Sequence, residues 1–390
     1  MAFSLPALGQ RSSHQRRAAH FLLIPELLHS PPNEAIIHAL LSCGHEVHVF
    51  SPGRLKSSTA YGPGVITHSA EYSVRWLIRN LIRRFWTSFS CFSGTSEDPL
   101  GVVGLLSAVY RRPSFLLVDE IKAGSYRGNS SVRWKSLCRW AMRRARFNIV
   151  NDTSRIQLLR DYAQLPPAAE ILVYPGCFHE PPQPSSMLRS ELRRQWGMPE
   201  DALIVAASGG FNLTAGADWL VQALREEPSL NAVIQPLGVE PLSLFLLKQL
   251  GLGSRLYLQE DRLSWQEAWR SAVGFDIGLA IYANQAPQFQ HMGISSNRLC
   301  MFIAMGVPVI CSRQESFRFV EDYRCGVMVD SYQEFLAAIQ TIGHNLEAMR
   351  ENCRNCLEQY IMPPDRYPRL GKAIAAVEPL DRTPGNLLTK

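Results

Sequence analysis

The sequence predicts an α/β protein built from two doubly wound, parallel-sheet halves. Three observations carry this reading. The 390 residues exceed one ordinary domain and fit two. Short apolar runs alternate with helical patterns, as in a parallel sheet covered on both faces. The alternation stops at a proline-rich stretch, HEPPQPSS at 179–186, and then starts again.

The elements follow in order. HFLLI at 20–24 is the first strand, a helix follows near 33–43, and a second strand at 46–50 ends at Ser51-Pro52-Gly53. This is a βαβ unit, the opening of a Rossmann-like sheet. Further strands are predicted at 64–68, 114–119, 147–150 and 171–174, with helices between them. After the linker a helix near 187–196 leads to the strand ALIVAAS at 202–208. From there the pattern gives helix 216–226, strand 230–235, helix 241–250, strand 255–258, helix 264–272 and strand 276–281. Helix 297–305, strand 308–311, helix 315–321, strand 327–329 and helices to about 360 complete it. The expected division is 1–19 a disordered extension, 20–178 the first half, 179–200 linker and first helix, 201–361 the second half, and 362–390 a terminal segment and tail.

Composition narrows the class. A hydrophobic fraction of 46% supports a sizeable core. No run of about 18 apolar residues is present, so no membrane-spanning helix is expected. The first 19 residues lack the apolar core of a secretory signal. Nine scattered cysteines, an odd number, read as reduced thiols of a cytoplasmic protein. Cys353 and Cys356 form a C-x-x-C on a predicted helix, and without a second pair they read as core thiols rather than a metal or redox site. No metal ligand set is expected, since the histidines at 20, 29, 38, 45, 48 and 68 show no metal spacing. Charge is uneven. Residues 1–175 hold 21 Lys+Arg against 11 Asp+Glu, whereas the remainder holds 19 against 23. The first half is therefore the one expected to meet an anionic partner.

Residues 72–92, YSVRWLIRNLIRRFWTSFSCF, read as an amphipathic helix. Arg75, Arg79 and Arg83 recur every four residues, mixed with Trp76 and Trp86. Arginine with tryptophan on such a helix is the composition of a segment lying on an anionic membrane surface. VRWKSLCRWAMRRAR at 132–146 repeats the mixture. The alternative is a pair of core-packed helices with arginine outer faces. A nucleic-acid partner is not expected, because the aromatics follow helical packing rather than a stacking platform.

The most informative stretch is GISSNRLCMFIAMGVPVIC at 293–311. Ser295, Ser296 and Asn297 are N-cap types, and Leu299, Phe302, Ile303 and Met305 recur at helical spacing. Gly306 ends the helix, and VPVI enters a buried strand. A helix start of this kind presents free N–H groups and partial positive charge, which suit an anion. Arg298 adds a full charge. Plain capping of an ordinary α/β helix is the competing reading.

This stretch resembles the S-x-K-L-x-E-Y-M-A-x-G-x-P-V-I-A-S segment of GT-B glycosyltransferases, family 4-like enzymes in particular. The resemblance continues in ESFRFVEDYRCGVMVD at 315–330 and VGFDIGLAIY at 273–282. Weaker matches are GHEVHVF, NIVNDTSRIQLL, ILVYPG and SGGFNLTAGADWLVQAL, so that together they span most of 20–345 in the family's order. The resemblance implies a GT-B fold, two Rossmann-like domains facing across a cleft, with a nucleotide-diphosphate sugar in the second domain, an acceptor in the first, and the terminal segment 362–390 returning to the first domain before the tail. It implies donor contacts at Gly209, Gly210, Ser295, Ser296, Asn297 and Arg298. Three positions depart from the family. Gly210 and Ala215 stand where an Arg and a Lys usually hold the pyrophosphate, and Met301 stands where a Glu usually accepts from ribose hydroxyls. Arg298, at the family's Lys position, is then the main basic candidate for steadying the leaving group.

Asp119 and Glu120 end the run FLLVDE, where a strand's carboxyl end faces the ligand crevice, so either could orient or deprotonate an acceptor hydroxyl. Asp152, in VNDTSR, is a cleft or helix-cap residue, and His29 and His291 sit in loops that reach the cleft. The expected function is transfer of a hexosyl group, with retention, from a nucleotide-diphosphate sugar to a glycan or lipid-linked acceptor in cell-surface polysaccharide or glycolipid synthesis. No cofactor is expected, and the expected place is the cytoplasm, peripheral on the inner membrane face. The competing reading is an inactive GT-B protein serving as a binding or partner subunit, which the three departures favour.

Overall fold

The computed structural model of the chain describes residues 19–23, 31–51, 64–69, 89–95, 97–119, 121, 132–176, 189–239, 241–259, 261, 263, 265–283 and 287–377. Two parallel sheets organise it. The first contains β1 (Ala19–Leu23), β2 (Glu46–Ser51), β3 (Val65–Ser69), β4 (Phe89–Thr95), β5 (Ser114–Leu117), β6 (Phe147–Val150) and β7 (Ile171–Val173). Their order is β3-β2-β1-β4-β5-β6-β7. The second contains β8 (Leu203–Phe211), β9 (Leu230–Val239), β10 (Leu256–Leu258), β11 (Ile277–Ala280), β12 (Val309–Ser312) and β13 (Gly326–Val329), in the order β10-β9-β8-β11-β12-β13. Both sheets start from a central strand, run outward and then cross over, which is the doubly wound topology.

The strands form because their residues are apolar on both faces. β5, β6 and β11 are buried along their whole length, which requires helices above and below. The first sheet's two sides are packed by Leu100, Val103 and Leu106 on one face and by Ile36, Leu40, Phe115 and Phe147 on the other. Helix Arg366–Ala375 lies far along the chain, yet Leu370, Ile374 and Val377 join the core around Ile36, Leu40 and Val49. In the second sheet Phe275, Phe302, Val309 and Phe319 fill one side, and Leu220, Leu224, Ile234 and Phe335 the other.

Two sequence expectations need correction. Residues 89–92 do not continue an amphipathic helix. They enter β4, which pairs with β1 and β5 in the middle of the sheet, and Phe89 is fully buried. Phe85, Trp86 and Phe89 happen to keep helical spacing, but Phe89 and Cys91 point into opposite core layers, as strand residues two apart on an irregular register do. The second correction concerns the strand predicted at 202–208, which does not end at Ser208. β8 continues to Phe211, pairing with β9 across a bulge at Gly209/Gly210. Helix Ala217–Glu226 begins only after a short 3-10 turn at Leu213–Ala215.

The basic helix Val132–Arg144 packs against helix Glu97–Tyr110. A methyl group at Gly104 would come 2.4 Å from the Ala141 Cβ, so the contact needs a glycine. Cys138, Ala141 and Met142 are buried while Arg133, Arg143 and Arg144 face outward. Among the described residues no helix is long and apolar enough to cross a membrane. The thiols of Cys325, Cys353 and Cys356 are buried in the second half, with Cys353 Sγ 3.6 Å from the Cys325 carbonyl. Among the described residues no group of His, Cys, Asp and Glu is arranged to hold a metal.

Candidate functional site

In the second sheet the strand order reverses between β8 and β11. Outside such a point the loops leave to opposite faces and open a crevice at the strands' carboxyl ends. The bulged end of β8, the residues after β11 and the start of helix Asn297–Ala304 meet there.

Tyr282 organises this corner. Its amide donates to Ser312 Oγ at 2.6 Å, tying the end of β11 to the end of β12. Its ring contacts Phe289 and Phe317, with centroids 6.4 and 5.9 Å away. Its hydroxyl lies 2.6 Å from Ser296 Oγ. Ser296 is the helix N-cap, fully buried, and its Oγ accepts from the Leu299 amide at 3.3 Å. The cap uses the third amide of the turn. Those of Asn297 and Arg298 precede any intrahelical acceptor and remain as first-turn donors.

Arg298 runs back across this corner. Its guanidinium lies 5.0 Å from the Tyr282 ring centroid, a cation–π contact. One Nη approaches the Gly210 carbonyl at 3.5 Å. The same group is 3.9 Å from where a Cβ would stand on either Gly209 or Gly210. Gly209 has φ +90°, a conformation that disfavours side chains, so the bulge keeps bare backbone beside the cation. Backbone dipoles, first-turn amides and one guanidinium thus converge, which is the arrangement that steadies a phosphate.

The three family departures sit differently. Gly210 is part of the bulge that Arg298 approaches. Ala215 is buried in the 3-10 turn and offers no charge. Met301 is 1% exposed and packs in the core with Leu299, Phe302 and Val309. The side chain at that position is therefore a packing residue.

The first half reaches this site through the segment after β6. Asp152 Oδ1 accepts from the Ser154 amide and hydroxyl at 2.8 and 2.6 Å. Its Oδ2 accepts from the Ile294 amide at 2.8 Å, across 142 residues of sequence. The Gly176 amide donates to the Ile294 carbonyl at 3.2 Å. Arg155, 3% exposed, donates Nε to the His291 carbonyl at 2.8 Å, Nη1 to the Asp119 carbonyl, and Nη2 toward Met292 Sδ at 3.6 Å. Burial, and after it the charge of Asp152, push the Tyr360 hydroxyl up to about 12, so Tyr360 is a neutral donor beside this contact. Asn297 Oδ1 is buried and accepts no hydrogen bond among the described residues.

The sequence candidates are thus divided. Gly209, Gly210, Ser295, Ser296, Asn297 and Arg298 belong to one corner of the second half. Asp119, Asp152 and His291 meet in the contact between halves, Asp119 and His291 through their carbonyls. His29, Glu120, Arg75, Trp76, Arg79, Arg83 and Trp86 lie outside the described residues. Tyr282, Arg155 and Gly293 are additions from the structure. Tyr282 stands in the quoted VGFDIGLAIY and Arg155 in VNDTSR, so a strand-end tyrosine and an arginine three residues after a capping aspartate were the available signals. A hollow of about 190 Å³ lined by Leu203, Leu230, Ile339, Gly343 and His344 opens at the opposite, amino end of the second sheet.

No protein-family model matches the chain, and no curated protein matches its sequence. Solved structures do match its architecture. Sucrose-phosphate synthase from Thermosynechococcus elongatus has 14% identity and a TM-score of 0.66, covering 93% of this chain and 99% of its own. Anabaena HepE in complex with UDP-glucose has 13% identity and a TM-score of 0.70, covering 91% and 99%. UDP-GlcNAc 2-epimerase from Neisseria meningitidis bound to UDP-GlcNAc has 11% identity and a TM-score of 0.59, covering 92% and 99%. The fold of this chain is GT-B.

Proposed function

We propose that this chain is a glycosyltransferase that takes a hexosyl group from a nucleotide-diphosphate sugar and passes it, with retention, to an acceptor hydroxyl. The carrying observation is the Arg298 guanidinium set over Tyr282, beside the bare Gly209–Gly210 backbone and the capped helix start at Ser296. Leaving of a nucleoside diphosphate builds negative charge on the pyrophosphate. A fixed cation and aligned amides stabilise that charge without reorganising. The solved structures of like fold with UDP-glucose or UDP-GlcNAc support a uridine-diphosphate sugar as the first donor to try.

Asp119 and Asp152 stand on the acceptor side in this reading. The acceptor is a glycan or a lipid-linked sugar, in polysaccharide or glycolipid synthesis. The outward arginines of helix Val132–Arg144 support approach to an anionic membrane surface.

Met301 favours a second reading. A buried methionine cannot accept from ribose hydroxyls, and a protein that has lost donor grip could serve as a binding or partner subunit. One experiment separates the two. The purified protein is screened against nucleotide sugars by thermal shift and then assayed for nucleotide release. Stabilisation by one donor with slow nucleotide release is the expected result. No stabilisation and no release with any donor overturns the transferase reading.

A further inference from the structure

We propose that Asp152 and Arg155 are positioning residues. From the first half of the chain they set the place of the 291–297 loop in the second, and with it the affinity for a nucleoside diphosphate. This rests on the reading of that corner as a donor site.

The geometry is specific. Residues 291–294 lead straight into the cap at Ser296. Each of His291, Met292 and Ile294 is held by a group from the first half. Arg155 holds the His291 carbonyl and the Met292 sulfur, and Asp152 holds the Ile294 amide. The Gly176 amide donates to the Ile294 carbonyl, so that residue is held at both its amide and its carbonyl. Only Ser295 separates it from the cap, which leaves too little chain to absorb a displacement. A shift of Ile294 therefore moves Ser296 and the first-turn amides.

Gly293 shows how closely the two parts meet. It has φ +44°, and a Cβ there would stand 1.9 Å from Asp152 Oδ2. Gly176 is similar, since its Cβ would stand 3.0 Å from both Asn297 Oδ1 and the Ser295 carbonyl. Arg155 extends the tie to Asp119, whose carbonyl it also holds. The end of the FLLVDE run and the loop before the donor helix thus share one guanidinium.

The test uses the full-length protein. UDP binding is measured by calorimetry for wild type, Arg155→Ala, Arg155→Lys and the control Arg160→Ala. Arg160 lies on the same helix, Arg155–Ala163, and donates to the Pro166 and Ala169 carbonyls, away from the contact. Arg155→Ala should weaken UDP binding roughly 10- to 100-fold, the loss of one or two charge-assisted hydrogen bonds. Lysine should restore part of the loss, and Arg160→Ala should bind as wild type. A folded Arg155→Ala that binds UDP as wild type does overturns the proposal.

Amide hydrogen exchange provides a second reading that needs neither the alanine variant nor a ligand. Arg155→Lys should speed exchange at residues 294–299 roughly tenfold. Unchanged exchange there overturns the positioning role, whatever the protein binds. Failure of the wild type to bind any nucleotide, with faster exchange in the variant, counts against the transferase reading alone.

Discussion

Two buried aspartates, Asp152 and Asp276, are each surrounded by firm partners, but the partners differ. Asp276 receives Arg189, Arg193 at 2.5 Å, Arg350 at 3.1 Å and the Ile204 amide at 2.8 Å. All of these belong to the second half or to the helix Arg189–Gln195 that packs on its core. The network knits helix Arg189–Gln195, helix Leu346–Cys356 and the base of β8 and β11 into one body. Arg193 is as buried as Asp276, and it also donates to the carbonyls of Gly274, Ala202 and Glu200. Burial pulls the Arg193 and Arg350 guanidinium groups below their ordinary value, while Asp276 pulls them back. Asp152 instead takes neutral amides and a hydroxyl, and one of its partners comes from the other half. The first arrangement fixes a domain. The second sets where one domain's loop stands against the other domain, at lower cost to break.

Removing the Asp276 carboxylate should have the largest effect. Asp276→Ala removes the carboxylate that three buried or half-buried cations share and should destabilise the protein by about 3–5 kcal/mol. Denaturant unfolding measures it, and a loss near zero would make Asp276 equivalent to a surface residue. Arg298→Ala should cost about 1.5–3 kcal/mol in nucleoside-diphosphate binding and much less in nucleoside binding, because it removes charge beside phosphate. Calorimetry with UDP and uridine tests this, and an equal loss for both ligands would place Arg298 away from the phosphates. Gly293→Ala attacks the Asp152 contact from the opposite side. With a strained φ and a clash with a carboxylate it should cost about 1–3 kcal/mol of stability, less than Asp276→Ala. Thermal unfolding of the two variants side by side gives the ranking.

The smallest effect belongs to a titration distant from both aspartates. His68 lies 2.9 Å from His48, which in turn lies 2.8 Å from Glu46. Burial, then the neighbouring His48, lowers the His68 pKa from 6.5. Its folded value is the lower one, so the unfolded chain binds more protons between the two values. Stability from this group is full above about 6.5 and is lost as pH falls toward the folded value. Unfolding at pH 7.5 and 5.5 should show a small decline that His68→Gln reduces. A decline of equal size in the variant would assign it elsewhere.

The parts of this molecule set by local chemistry were readable from the sequence. Ser296 caps and Gly306, at φ +71°, ends the helix because both roles depend on a few adjacent residues. The strands of both sheets were readable for the same reason, with one exception. β4 was hidden because its aromatics continued the helical spacing of the arginine-rich run before it. The predicted strand stopped at Ser208, short of the Gly209–Gly210 bulge, since nothing local reveals that β9 is long enough to pair as far as Val239. The Asp152 and Arg155 contact was least readable. Its partners are mainly backbone carbonyls and amides, which any residue supplies, so no side-chain pattern announces them.

Helix Arg366–Ala375, whose Leu370 and Ile374 are buried among first-half residues, has a mechanical consequence. The chain passes from the first sheet to the second after Val173 and comes back before Arg366, so two covalent crossings join the bodies. One crossing would act as a ball joint, free to swivel in any direction. Two crossings constrain more directions of relative motion than one does. A ligand that bridges the bodies then has fewer relative movements to arrest.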